Sequence, residues 1–202
     1  MEELKILCTA RYHNGTLECD GEVLCQSDAP MLDALTANYH AVGIEYPKFF
    51  KMDAVAKLAI IATEPIFRKH ADLIDQAREH VGIVHSSRHG SLDTDQRYWH
   101  TLRTEGLASP ALFVYTLPNI AVGEVTIRHR LHGPSLSLPS ERPDAFTLHA
   151  ACGTVMRDNG GRPVICGWSD IFAGTASATF LLAGTATGDA WNNEYLERIL
   201  NE

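Results

Sequence analysis

The sequence predicts an α/β fold in which helices are layered on the faces of a sheet. Two observations carry that expectation. Strand-like and helix-like segments alternate along most of the chain, the pattern of helices packed on a sheet. The segment Lys48–Phe67 is apolar around most of its helical circumference, so it needs cover on most sides.

The elements follow in order. LKILCTARY and TLECDGEVL read as strands joined by a turn at His13-Asn14-Gly15-Thr16, because Asn-Gly between two such runs favours a tight hairpin. The mixed stretch through Tyr46-Pro47 reads as loop and short helix. In the buried helix Met52, Val55, Leu58, Ala59, Ile61 and Ala62 recur at helical spacing, and Ala54, Ala56 and Ile60 widen the apolar surface. Glu64-Pro65 is expected to end or kink it, and a charged amphipathic helix runs on from about Ile66 through Glu79. Val81–His85 is a short apolar strand leading into the loop Ser86-Ser87-Arg88-His89-Gly90. Leu92–Arg103 reads as a polar helix bearing Tyr98 and Trp99, and Ala111–Tyr115 as a strand. Pro118-Asn119 opens a helix over Ile120–His129. After the Gly133-Pro134 turn, Leu136–Leu138 is a short strand. Pro143-Asp144 starts a helix carrying Phe146, Leu148, Ala151 and Val155, stopped by Asp158-Asn159-Gly160-Gly161. Val164–Trp168 and Phe180–Ala183 read as strands and Asn192–Leu200 as a terminal helix, with no internal repeat or low-complexity segment.

The 202 residues are 45% hydrophobic and 21% charged, values that exclude the disordered and fibrous classes. A chain of this length buries roughly 70% of its unfolded surface, enough for one substantial domain over 1–202. A net charge of −8 argues against nucleic acid as a partner and gives no reason to expect an anionic membrane surface. No apolar run approaches the roughly 20 residues of a membrane helix, and the start lacks the features of a secretory signal, so a cytoplasmic location is expected. Cys8, Cys19, Cys25, Cys152 and Cys166 are odd in number and form no CxxC pair, so reduced thiols are expected in place of disulfides or zinc.

Ten histidines invite a metal or proton-transfer role. His85, His89 and His100 flank one loop-and-helix region, and His129 and His132 another, but none combines an HxxxH or HExxH spacing with a carboxylate base. Structural histidines, no metal and no cofactor are therefore expected. No GxSxG run marks a nucleophile elbow. Ser86-Ser87 follows a strand and precedes Gly90, as in some catalytic loops, yet no base is identifiable and a structural loop is favoured. Gly160-Gly161-Arg162 follows a helix and so is no phosphate cradle, and Asp93-Thr94-Asp95 caps the helix after it. The residues by themselves give an α/β domain without a self-evident active site.

Three blocks, in order, resemble the N-terminal half of β-ketoacyl synthases of the thiolase fold. They are YPKFFKMDAVAKLAIIATEPIF, VGIVHSSRHGSLDTDQRYWHTL and SPALFVYTLPNIAVGEVTIRHRLHGPSLSLPS. The third is the most specific, since Pro110, Pro118-Asn119, Gly123 and Gly133-Pro134 agree together. The resemblance covers about 46–168 and leaves the tail 171–202 unplaced. It implies half of a thiolase-like fold, a mixed β-sheet with helices on both faces.

In that family the Gly-Pro turn is followed by a short strand and then by the nucleophilic cysteine at the start of a buried helix. The same distance from Gly133 reaches Arg142, and Cys152 lies about ten residues further on, nearly three helical turns away. The family's two active-site histidines belong to its C-terminal half, and this sequence has no histidine after His149. A condensing reaction needs a thiolate to hold the acyl group and an oxyanion site, so the resemblance implies no such activity here.

The family also contains chain-length factors, which lack the cysteine and pair with a complete synthase; short ones accompany aryl polyene and flexirubin-type pigment synthases. This chain resembles that kind, which implies a non-catalytic subunit in fatty-acid or polyketide-type polyene biosynthesis. By the resemblance Tyr115, Thr116, Leu117 and Asn119 are candidates for the partner interface and its acyl tunnel, with plain core packing and capping as the alternative. Phe146 joins them, because the helix from Pro143 to Met156 is sandwiched in a full synthase and its outer face needs cover from a partner or from the tail. An acyl carrier protein is expected to touch the acidic chain at most indirectly. Two other readings stand beside this one: a small acyl-transfer or hydrolytic enzyme using Ser86 or Ser87 with His85 or His89, and a degenerate synthase fragment that homodimerises.

Overall fold

The computed structural model describes residues 3–107, 109–185 and 188–201; residues 1–2, 108, 186–187 and 202 of the expected domain lie outside the described residues. The chain opens with β1 (Lys5–His13), β2 (Thr16–Cys19) and β3 (Glu22–Gln26), followed by α1 (Met31–Ala41). A 3-10 turn over Pro47–Lys51 leads into α2 (Ala54–Lys69) and α3 (Ala71–Ala77). Then come β4 (Gly82–Ser87), α4 (Leu92–Glu105), α5 (Pro110–Phe113), a 3-10 turn over Val114–Thr116, and α6 (Ile120–His129). The last third holds β5 (Ser135–Pro139), α7 (Ala145–Asp158), β6 (Val164–Phe172), β7 (Thr175–Gly184), β8 (Asp189–Ala190) and α8 (Asn193–Asn201).

The strands form one mixed sheet in the order β3-β2-β1-β7-β6-β4-β5, with β8 paired to β1. β4 runs parallel to both β5 and β6, whereas β6–β7 and β7–β1 are antiparallel. Alternation sorts side chains to two cores. Ile165, Leu182 and Phe180 face α2 and α6, while Val164, Cys166, Leu181 and Ala183 face α7 and α8. A bulge in β1 between Ile6 and Cys8 changes its parity, so Ile6 joins the α7 core and Cys8 the α2 core. The fold is thus α/β with helices on both faces of a mixed sheet, as expected.

Local chemistry explains most of the element ends. Asn14 and Gly15 carry φ values of 42° and 96°, the two left-handed positions that a tight hairpin demands. Asp53 caps α2 by accepting from the Ala56 N–H at 3.0 Å, and Asp144 caps α7 through the Phe146 N–H at 3.0 Å. Gly167 lets β6 and β7 close up: a Cβ there would lie 2.2 Å from the Thr179 carbonyl oxygen.

Four expectations need correction. Ala111–Tyr115 is not a strand: Pro110 sits at the first helical position, Ser109 Oγ accepts from the Leu112 N–H at 3.3 Å, and a short helix and 3-10 turn result. Glu64-Pro65 does not end α2, which runs on to Lys69; the break falls at His70 (φ −117°, ψ 31°), and α3 is shorter than the helix expected over 66–79. The first residue of α4 follows Ser91, so Asp93 and Asp95 stand in its first turn and not at its cap. The tail has no expected place, yet Thr175–Gly184 is a central strand between β1 and β6, and α8 packs against α7. Among the described residues no single helix is long and apolar enough to cross a membrane.

Candidate functional site

The carboxyl ends of the parallel strands β4 and β5 point the same way, and loops after such strands are where α/β folds place ligands. An open cleft of about 520 Å³ lies there, between the loop after β4, Pro118-Asn119 and Ser137–Pro139. The candidate residues fall into three groups, of which Asn119, Ser87 and His89 line it directly.

The first is the segment from Pro110 to Asn119. Tyr115 is buried, and its hydroxyl donates to Glu124 Oε1 at 3.1 Å; Glu124 is itself buried and accepts from Lys48 Nζ at 2.7 Å. Burial, with Glu124 alongside, pushes the Tyr115 phenol above its ordinary value. Thr116 is half-buried, its carbonyl held by the Ser91 hydroxyl at 2.8 Å. This anchoring leaves Leu117, Asn119, Phe113 and Val114 at the surface. The five-residue stretch therefore divides: Tyr115 is an anchor, and Leu117 and Asn119 are what a second molecule could touch.

The second group is the loop before α7. Arg142 is exposed, two residues ahead of the Asp144 cap, and its carbonyl accepts from the Ser140 hydroxyl at 2.6 Å. Cys152 is fully buried within α7. Phe146, in the first turn, is 70% exposed although Leu148 and Val155 on the same helix are buried.

The third group is the β4 loop. Asp170 Oδ1 accepts from Ser87 Oγ (2.8 Å), the Arg88 N–H (3.1 Å) and the His89 N–H (2.8 Å), and Oδ2 lies 2.6 Å from His89 Nδ1. The His89 ring stacks on Phe172 at 4.2 Å. His85 is buried, with Nε2 at 2.8 Å from Ser169 Oγ and Nδ1 at 3.5 Å from Ser137 Oγ. Burial holds its pKa down to about 4, so at neutral pH it is an uncharged core histidine. The serine–histidine pairing considered from sequence is not formed: Ser87 donates to a carboxylate and accepts from the Gly90 N–H, and Ser86 Oγ is buried without a partner. The Ser87 hydroxyl is thus turned toward the Asp170 carboxylate and not toward either histidine. Asp170, which organises this loop from the neighbouring strand β6, had no signal in the sequence, because its role depends on the β4–β6 pairing.

No protein-family model and no curated protein sequence matches the chain. Solved structures do. A ketosynthase in complex with its chain length factor from Xenorhabdus doucetiae aligns with TM-score 0.61 and 15% identity, covering 98% of this chain and 90% of that one. The chain has a ketosynthase-like fold. The ishigamide ketosynthase/chain length factor gives TM-score 0.62 at 14% identity over 90% of this chain, and a β-ketoacyl synthase from Burkholderia phymatum STM815 gives 0.60 at 12% over 91%. The ketosynthase-like chain spans 62% and 59% of those two proteins, but nearly the full length of the Xenorhabdus one. At such identities the likeness establishes the thiolase-like fold and assigns no residue a role.

Proposed function

We propose that this chain is a non-catalytic, chain-length-factor-type subunit that pairs with a complete β-ketoacyl synthase in the cytoplasm and shapes the pocket in which an acyl chain grows. The observation that carries the reading is one of length: a protein of nearly this size, aligned over 90% of its residues, works in a ketosynthase–chain length factor complex. Arg142, exposed where the family resemblance puts the nucleophile, supports the absence of condensing chemistry.

The surface fits a partner. β5 is the terminal strand of the sheet, with one edge unpaired among the described residues, and an open edge is a template for another chain. Asn119 and Pro118 lie beside it across the cleft, Leu117 precedes them, and Phe146 starts the helix that packs on β5. Exposed Phe113, Val114, Leu117 and Phe146 give this region the apolar character of a contact surface.

Co-expression with each complete ketosynthase encoded beside it is the test. A stable complex is expected, and Leu117→Ala should shift the length of the product without dissociating it. Condensing activity of the isolated chain would sink the proposal, and so would failure to associate with any of those synthases. A homodimer in the absence of a synthase partner would favour the degenerate-fragment reading instead. Labelling by a serine-reactive phosphonate would favour the hydrolase.

A further inference from the structure

Two cysteines eleven positions apart meet at the N-terminal hairpins. The β1–β2 register sets Ala10 opposite Cys19, which makes Cys8 the diagonal neighbour of Cys19 on the same face. Their Sγ atoms lie 3.6 Å apart and both thiols are free. Asp20 follows as the first residue of the Asp20-Gly21 turn between β2 and β3, with φ values of 48° and 81°. That turn is tied back to β1: the Asp20 N–H donates to the Thr9 carbonyl at 2.8 Å, and the Thr9 N–H and hydroxyl donate to Asp20 Oδ1 at 2.7 and 3.1 Å. Two sulfurs and a carboxylate oxygen thus stand within 4.8 Å of one another. Lys69 Nζ, 2.5 Å from Asp20 Oδ2, is a cation already drawn to the same corner.

The spacing suits a metal. With metal–sulfur bonds of about 2.3 Å, two thiolates on one tetrahedral zinc stand roughly 3.8 Å apart. The donor set, two soft sulfurs and one oxygen, favours zinc-like ions over calcium or magnesium. The approach is from the Asp20 side: Thr9, Asp20, Asp189 and Asn192 line a surface cleft of about 590 Å³ that also reaches Cys8, which is itself buried, while Cys19 is half-buried. The outer hydrogen bonds from Thr9 hold the Asp20 carboxylate in place, as metal sites require.

We propose that Cys8, Cys19 and Asp20 bind one thiophilic divalent cation, Zn²⁺ being the type. Two metal–sulfur bonds and one metal–oxygen bond form, the two thiol protons pass to solvent, Asp20 exchanges Lys69 for the metal, and water from the cleft completes the coordination. No electron is transferred. The bound ion pins the edge hairpin to β1, so binding stabilises the folded chain. The proposal is independent of any synthase partner.

The reduced, metal-free chain titrated with Co²⁺ tests it. One equivalent is expected to bind, with a thiolate-to-cobalt charge-transfer band and the visible bands of tetrahedral cobalt, and Zn²⁺ should displace it and raise the melting temperature. Cys19→Ser should weaken binding more than ~100-fold, beyond the roughly 10–100-fold cost of disturbing an outer hydrogen bond. Cys25→Ser, on the same hairpin, should bind like the wild type, and Lys69→Met should bind more tightly. Far-ultraviolet circular dichroism confirms that each variant folds. The proposal falls if the wild type shows no cobalt–thiolate band, if Cys19→Ser binds equally well, or if mild oxidation gives a Cys8–Cys19 disulfide from a chain that takes up no metal when reduced.

Discussion

Helices α2 and α7 cross opposite faces of the same sheet and have similar lengths, 16 and 14 residues, but very different surroundings. From Ala54 to Phe67 every residue of α2 except Lys57 is buried, because α1, α3 and α6 cover its far side. On α7 only one stripe is buried, α8 and Trp191 pack against it, and Phe146 stands 70% exposed. A helix that is apolar all round is completed within the chain, as α2 is, whereas α7 leaves an apolar residue in water. The inequality separates the part of the molecule that makes it fold from the part available for contact.

The sharpest way to break the comparison is truncation on each helix. Ile60, fully buried in α2, is expected to cost about 2–5 kcal/mol as Ile60→Ala, from lost burial and the cavity left behind. Phe146→Ala, on exposed surface, should change stability by less than about 0.5 kcal/mol. Urea unfolding of the two variants checks this; equal costs would show that α7 is as fully packed as α2.

A second difference is electrostatic. Glu64 on α2 is buried between Arg128, whose Nε and Nη2 donate to Oε2 at 3.0 and 2.8 Å, and Arg68, whose Nε donates to Oε1 at 3.0 Å. Removing one partner of a buried ion pair strands the other, which costs about 3–5 kcal/mol, toward the low end here because Arg68 is half in water. Glu64→Gln should therefore lower the urea midpoint almost as much as a core truncation. A variant that also replaces Arg128 with Met should recover part of the loss.

Acid stability follows from the same side of the sheet. Burial holds His129 down to about 3, with Arg128 and Arg78 adding to it, and burial holds His85 down to about 4. Glu64 lies 3.7 Å from His129 Nε2 and would pull the other way, but it is committed to two arginines, so burial prevails. In the unfolded chain both histidines titrate near ~6.5. Between about pH 6.5 and 4 the unfolded state binds protons that the folded state refuses, so these two contributions to stability are lost as pH falls. Asp53, pushed up to about 6 by burial, acts in the opposite sense: it keeps its proton when folded, and its unfavourable contribution fades as pH falls below 6. Two groups outweigh one. The urea midpoint should drop between pH 7 and pH 4.5, less steeply in His129→Phe, and an unchanged slope in that variant would contradict the assignment.

What the sequence disclosed depended on how local the signal was. The Asn14-Gly15 hairpin, the apolar surface of α2 and the strand Val164–Trp168 each carry their evidence within a few residues, and each forms as expected. Ala111–Tyr115 misled because five apolar residues have no readable period; Ser109 and Pro110, just outside the run, decide for a helix. β7 was glimpsed only at its end, since Thr175–Thr179 are small residues with no bulky apolar side chain, and its central place depends on the closeness that Gly167 permits. For the candidate site, the surface positions Leu117 and Phe146 were legible through a family resemblance. Asp170 at the β4 loop and the Cys8–Cys19 approach were not, because both are products of strand register.

The smallest expected effect on stability is the most informative about contact. Leu117 is 49% exposed and held in place from beneath by Tyr115 and by the Ser91 bond to Thr116, so Leu117→Ala should leave the urea midpoint within about 0.5 kcal/mol of wild type. Phe146→Asp adds a charge to the open face of α7 without disturbing the buried stripe, and it too should fold normally. If that face is covered in the assembled state, the aspartate is desolvated on association and the complex with a synthase weakens by at least 10-fold, about 1.4 kcal/mol. Leu117→Ala, by contrast, removes volume without burying charge and should keep the complex while altering the pocket. Equal co-purification of wild type and Phe146→Asp would place the partner elsewhere and leave the open edge of β5 as the surface to test next.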